Sequence, residues 1–317
     1  MKSLSRLDLN LLVALDALLS ERSVTRAAAK LGLGQPALSA SLSRLRVHFD
    51  DPILVREGNS YMLSPLASRL ADQTAIALES ARRVFASHAD WDATEGTREF
   101  TIYGSDYAFV TVGHRVAALA AQRAPGVHFR FSLHTPSFIE DVTHRMRTAD
   151  GLLIPHGPVE GLPYVDLFSD GWVGLAATDN PDVGDRISME VAAASPWVFT
   201  YQSQVAFTSA GRQLHELGIE PDVDCVVEGF LAMPAFIAGT RRLGLIQSRL
   251  ASFALQHPGV RVVALPFEAT PVRNALWWHP VHDRDPEHLW MRSLFAEAGR
   301  QLAASPNPAL PQDPAGS

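Results

Sequence analysis

Between Ser23 and Arg46 the chain reads SVTRAAAKLGLGQPALSASLSRLR: three Arg, one Lys and no carboxylate. Cations set among Ala and Ser suit a polyanion. Each one that meets a phosphate releases condensed counterions, whereas an acidic side chain there would be repelled. The charge is local. The whole chain carries 27 Lys and Arg against 34 Asp and Glu, a formal net charge of −7. Residues 1–60 hold 8 basic and 6 acidic groups, a net of +2, which leaves −9 for the other 257 residues. This asymmetry fits a nucleic-acid partner for the N-terminal part alone.

Other groupings fit catalysis or metal binding less well. WWHPVHD places His279, His282 and Asp283 close together. Positions three apart on a strand face opposite ways, however, Pro280 implies a turn, and spacing supplies no third ligand. Gly104-Ser105-Asp106 lacks the second glycine of a nucleophile elbow, and no Gly-rich phosphate loop or paired-carboxylate motif stands out. No catalytic residue, metal or cofactor is therefore expected. The lone Cys225 reads as a small buried hydrophobe and fits a reducing compartment. LNLLVALDALLS follows Lys2 and Arg6, yet Asp16 interrupts it and no small-residue cleavage site comes next. No run approaches the ~18 apolar residues of a membrane helix. The expectation is a soluble cytoplasmic protein without a membrane partner. With 317 residues, 47% of them apolar and 19% charged, there is material for about two domains with cores of their own.

The basic stretch needs elements to present it. Asp8 suits the cap of a helix over about 9–20, whose stripe is Leu12, Leu15 and Leu19. Ser23 suits the cap of a second helix through Leu31. Gly32-Leu33-Gly34 supplies a turn, and Pro36 fits the start of a third helix from Gln35 to about Phe49. Leu38, Leu42, Leu45 and Phe49 then face inward, leaving Gln35, Ala37, Ser39, Ala40, Ser43, Arg44 and Arg46 outward. Two short helices about a glycine turn form a helix-turn-helix, whose second helix enters the DNA major groove. Pro36 and, from the first of the pair, Ser23, Thr25 and Arg26 complete the DNA-facing set. The competing reading is a basic three-helix bundle that binds nothing. Ile53–Val55 and Tyr61–Leu63, apolar runs about the EGNS turn, read as a two-stranded wing. Arg56 at its edge reaches phosphate or the minor groove, or is a plain surface Arg.

The stretch from LNLLVALDALLS to MLSPLA resembles the winged helix-turn-helix of LysR-type transcriptional regulators. The resemblance is carried by SVTRAAAKL, QPALS, LSRLR and DPILVR followed by Ser-Pro. The detail is most similar to the branch that includes nodulation regulators and regulators of aromatic catabolism. By that resemblance Gln35, Pro36, Ala37 and Ser39 begin the recognition helix and Arg56 is the wing arginine. Two positions depart: Gly34 stands where many members have Ser, and Ala40 where many have Arg or His. Arg44 and Arg46 are expected to compensate for the second. The resemblance further implies a homodimer or homotetramer on a partly palindromic double-stranded operator, a small-molecule effector and RNA polymerase as partners.

Ser64-Pro65 opens a helical stretch to about residue 90, with Leu66, Leu70, Ala77, Ala81 and Val84 or Phe85 on one stripe. The stripe pairs with a second copy, as the resemblance implies, or packs on its own protein. Beyond residue 97, strand-like runs alternate with helical ones, which predicts parallel α/β sheets. The strand-like runs are EFTIY (99–103), VHFRFSL (127–133), GLLIP (151–155), WVGLAA (172–177), PWVFTY (196–201), VDCVVE (223–228), RLGLIQ (242–247), VRVVALP (260–266) and VRNALWW (272–278).

The expected fold class is an all-α winged helix-turn-helix with a long linker helix, then an α/β part. The resemblance makes the latter two subdomains like a type 2 periplasmic binding protein. The boundaries are 1–63, a linker 64–91, and an effector-binding domain 92–303, with 304–317 a loose, disordered tail. Within that domain subdomain I is 97–169 with 268–303, and subdomain II is 170–267. Ligands of open α/β sheets sit beyond the carboxyl ends of strands. That rule picks Ser105, Asp106, Thr135, Pro136, Ser137, His156, Gln202, Ser203, Gln204 and Phe230, with Tyr201, Phe207 and Phe230 placed to flank a ring. Such a set suits a carboxylate or phenolate effector, though each residue equally suits an ordinary cap. A solute-binding protein without a DNA role is the alternative; the basic N-terminal stretch and the missing export signal argue against it.

Overall fold

The computed structural model describes residues 8–57, 60–86, 91–200 and 208–305. The chain divides into two units between residues 89 and 90.

In the first unit, α1 (Leu9–Glu21), α2 (Val24–Lys30) and α3 (Gln35–Phe49) pack as three helices. Their ends follow from local chemistry. The Asp8 carboxylate accepts from the Asn10 N–H at 3.0 Å, and Ser23 Oγ accepts from the Arg26 N–H at 3.3 Å. Gly32 makes the turn at φ +65°. Leu18 and Leu38 are fully buried, and Leu15, Leu42 and Leu45 nearly so. The wing pairs β1 (Leu54–Glu57) antiparallel with β2 (Ser60–Leu63), Arg56 opposite Tyr61. Its first strand begins a residue later than expected because Ile53 sits at φ +59°. That conformation costs a β-branched residue about 1–3 kcal/mol. Full burial offsets it, together with a bracket in which Asp51 Oδ1 accepts from Ile53 N (2.7 Å) and Ser64 Oγ (2.5 Å).

The long helix α4 (Pro65–Ala86) begins where Ser64 Oγ caps Ala67 N at 3.0 Å. Its first turns lie on the first unit's own core through Ala67, Leu70 and Ala71, while Ala77 is exposed. The expected stripe is thus corrected over this half: small residues, not leucines alone, let α4 approach the core. The Val84 and Phe85 side chains lie outside those described.

The second unit runs β3 (Glu99–Gly104), α5 (Asp106–Ala108), a π-helical turn, α6 (His114–Arg123), β4 (His128–Leu133), α7 (Pro136–Glu140), α8 (Val142–Arg145), β5 (Gly151–Pro155) and β6 (Tyr164–Asp170). There follow β7 (Trp172–Ala177), α9 (Met189–Ala194), β8 (Pro196–Thr200), α10 (Ser209–Glu216), β9 (Asp222–Val227), α11 (Met233–Ile237), β10 (Leu243–Gln247), α12 (Ala251–Ala254) and β11 (Val260–Val263). The chain closes with β12 (Val272–Trp277) and α13 (Pro286–Ala304). Two sheets result, ordered β4-β3-β5-β12-β6 and β11-β7-β10-β8-β9. Each sheet is parallel over three strands, as the alternation predicts, and antiparallel at one further strand. Helical crossovers keep β4, β3 and β5, and likewise β10, β8 and β9, parallel; β12 and β7 each run against both neighbours. These are the strands by which the chain changes sheet, at Gly171 and again between Val263 and Val272. The sheets define two lobes.

Trp197, Phe100 and Phe295 are the largest fully buried side chains. Arg98 ties the first lobe together by pairing with Asp150 (2.6 Å), Asp285 (2.7 Å) and Glu287 (2.9 Å). Cys225 is only partly buried, because β9 is an edge strand. In WWHPVHD, His279 Nδ1 accepts from Val281 N, and buried His282 stacks on buried His288 at 4.7 Å between ring centroids. Among the described residues no group of three His, Cys, Asp or Glu side chains is placed to hold a metal, and no helix is long and apolar enough to cross a membrane.

Candidate functional site

The first unit turns one face of α3 outward. Gln35, Pro36, Ala37, Ser39, Ala40 and Ser43 are exposed while Leu38, Leu42 and Leu45 are buried. Thr25 and Arg26 on α2 are exposed, and Ser23 is half-buried with its hydroxyl serving the cap. Glu21 lies beside the expected cations, at 3.6 Å from Arg26 Nε and 3.3 Å from Lys30 Nζ. Arg44 pairs with Asp8 at 2.8 Å, and this hydrogen bond, with the Asn10 N–H, holds the Asp8 carboxyl below its ordinary range. Arg46 differs from the expectation. Its Nε donates to Pro52 O at 2.9 Å and its Nη2 to Leu54 O at 3.3 Å, so its guanidinium secures the root of the wing. Arg56 is exposed on β1. Sequence spacing could place these cations on a surface but could not see partners supplied from other elements.

In the second unit a cleft of about 310 Å³ opens between the two lobes. Of the expected effector residues, Ser105, His156 and Phe230 line it. Thr135, Pro136 and Ser137 do not: Thr135 Oγ1 caps α7 by accepting from Phe138 N at 3.2 Å, and all three are exposed. Asp106 is likewise absent from the lining. Its carboxylate bridges the lobes, accepting from Tyr107 N (2.8 Å) in the first and from Phe230 N (3.1 Å) and Leu231 N (2.8 Å) in the second. Tyr201, Gln202, Ser203, Gln204 and Phe207 lie outside the described residues.

The sequence reading missed several lining groups. Tyr107, Trp172 and Phe230 form an aromatic wall, with Tyr107 and Trp172 each 6.4 Å from Phe230 between centroids. Tyr107 Oη donates to buried Asp170 at 2.8 Å and accepts from Asn274 Nδ2 at 3.2 Å. Burial, reinforced by Asp170, pushes the Tyr107 phenol well up, so it stays neutral. Burial also lowers His134, which keeps that ring uncharged near neutrality. His156 approaches Asp166 at 2.5 Å and packs edge-on against Tyr164 and Trp277. Arg212 and Arg273 also line the cleft, whose described lining residues include no Asp or Glu. Gln247 closes β10, so the strand-end rule that found Ser105 and His156 applies to it equally. Thr208, whose hydroxyl caps α10, and Ser209, its first residue, lie beyond the positions that the strand-end rule picked.

Two family profiles match this chain. That described as bacterial regulatory helix-turn-helix protein, lysR family, covers residues 9–68, and that described as LysR substrate binding domain covers residues 94–300. Nodulation protein D 2 of Rhizobium tropici is 33% identical over 306 residues, spanning 95% of each chain. Nodulation protein D 1 of Neorhizobium galegae is 32% identical over 310 residues, 96% of this chain and 98% of its own. A crystal structure of a probable transcriptional regulator from Pseudomonas aeruginosa superposes with a TM-score of 0.71 at 26% identity, covering 93% of this chain and 98% of that one.

Proposed function

The chain belongs to the LysR family of transcriptional regulators, with a helix-turn-helix and an effector-binding domain, and from that premise we propose how its own residues act. The exposed face of α3 enters the major groove of a partly palindromic operator, and paired copies of the chain, as a homodimer or homotetramer, supply the two heads that such symmetry needs. An aromatic or phenolic acid enters the cleft of the second unit. It favours one arrangement of the paired heads, changes the bend of the DNA and alters RNA polymerase recruitment. The effector must bind one arrangement better than the other, because equal affinity shifts nothing.

The observation that carries the DNA assignment is the division of α3. Small and polar residues without a carboxylate lie outward, and three leucines anchor the helix inward. Footprinting and gel shifts on the region upstream of its own gene test it. Gln35→Ala and Ser39→Arg should each weaken operator-specific binding about tenfold, the worth of one good base contact, with the melting temperature unchanged. Both variants binding like the parent at matched salt would remove α3 from the groove.

A further inference from the structure

We propose that the cleft selects a hydroxylated carboxylic acid, its carboxylate held at the mouth by Arg212 and a neutral hydroxyl donating to the Gln247 side-chain oxygen at the floor. This rests on the reading of the cleft as the effector site and names what that site recognises.

At the floor, Gln247 is 4% exposed and lines the cavity, yet its Oε1 is buried without a hydrogen-bond partner. Buried acceptors are normally satisfied, so a donor from the ligand completes this one. The donor must carry a hydrogen, which selects a protonated hydroxyl over a phenolate. A second anion is further disfavoured at this end. The wall residue Tyr107 already donates to the buried carboxylate of Asp170, whose charge lies directly behind it.

At the mouth the polarity reverses. The Arg212 side chain makes no hydrogen bond or ion pair with a described residue, and α10 carries it in the second lobe. Its guanidinium nonetheless reaches the first: a Cβ at Gly157 (φ +123°), in the turn after His156, would lie 3.6 Å from Arg212 Nη2. Arg273, on β12 of the first lobe, lines the same cavity. A guanidinium presents two parallel N–H groups to a carboxylate. With no carboxylate among the described lining residues to compete, the ligand supplies the anion, and one bound across both lobes holds them together. Between the two ends the Tyr107, Trp172 and Phe230 rings leave a flat, apolar middle.

Isothermal titration of the full chain tests this with 4-hydroxybenzoate and 4-hydroxycinnamate. Each is compared with its methyl ester and with the acid lacking the hydroxyl. At least one hydroxy acid should bind, with the ester and the deshydroxy acid each weakened at least tenfold. Arg212→Gln should abolish the preference of acid over ester, and Arg212→Lys should restore part of it. Gln247→Met, which keeps length and removes the acceptor, should erase the preference for the hydroxyl alone. The proposal is overturned if no hydroxy acid binds, if esters bind as well as acids, or if Arg212→Gln leaves the preference intact. Pro158→Trp, which fills the cleft, separates the two levels. If it abolishes binding while esters match acids, the cleft stands and the charge assignment falls. If it leaves acid binding untouched, the ligand lies elsewhere and the effector-site reading falls with the proposal.

Discussion

Arg46 and Arg56 are both exposed cations near the wing, and their places predict different phenotypes. Arg46 donates to two carbonyls, Pro52 O and Leu54 O, that fix the wing root beside the strained Ile53. Arg46→Ala should therefore lower stability by about 1–2 kcal/mol, the scale of charged hydrogen bonds discounted for exposure. Thermal melting of the full chain would show the loss. Arg56→Ala should lower affinity evenly across DNA sequences and flatten the salt dependence by about one phosphate contact. If the two variants behaved alike in both assays, the division of labour would be wrong. At this scale the sequence was legible where chemistry is local. Asp8, Ser23 and Pro36 do what their types and positions dictate. It was opaque where a partner comes from elsewhere: Arg44 meets Asp8 across 36 positions, and Arg98 meets Glu287 across 189.

Elements were legible in proportion to the regularity of their pattern. The three helices and most strands of the α/β part follow from periodicity, whereas β6 was not expected. Its pairing with β12 shifts register between Asn274 and Ala275, skipping Leu167, so Leu167 and Phe168 are both buried and the alternation that marks a strand is lost. The bulge on an edge strand thus hid it from a period-two test. For α4 the period revealed a helix but not its partner, because a stripe of Leu and Ala fits either a second copy or its own core. The buried contact of its first half turns on Ala67, fully enclosed in the first unit's core beside α1. Ala67→Leu should overpack that seam and cost about 1–3 kcal/mol. Chemical denaturation of the full chain followed by tryptophan-independent circular dichroism would show it. An unchanged midpoint would mean that α4 does not close this core.

At the scale of the effector-binding domain, a half-buried clasp between the lobes and a buried histidine govern how the molecule answers mutation and acid. Asp106 accepts from the Phe230 and Leu231 N–H groups across the lobe boundary. Asp106→Ala leaves both without their acceptor and should cost about 2 kcal/mol, with Asp106→Asn intermediate. Hydrogen exchange at those two amides should rise, and unchanged exchange would mean that this carboxylate is no clasp. The second site is His288. It is fully buried, its Nε2 lies 2.6 Å from Asp150 O, and it faces the stacked His282 ring, Asp285, Arg98 and Arg292. Burial chiefly, helped by the two arginines, pushes it down to about 4. An unfolded histidine titrates near 6.5, so between those values the unfolded chain takes up a proton that the folded chain refuses. Stability should therefore be full above pH 6.5 and fall as the pH drops toward 4, by at most roughly 3 kcal/mol. His134, lowered in the same sense, adds to the slope. The Asp285 carboxyl, held low chiefly by Arg98, acts only below the ordinary carboxylate range and so leaves this window to the histidines. Denaturation midpoints from pH 7 to pH 4.5 should accordingly decline for the parent and decline less for His288→Gln, whose amide retains a donor toward Asp150 O. Parallel slopes for the two proteins would place the acid sensitivity elsewhere.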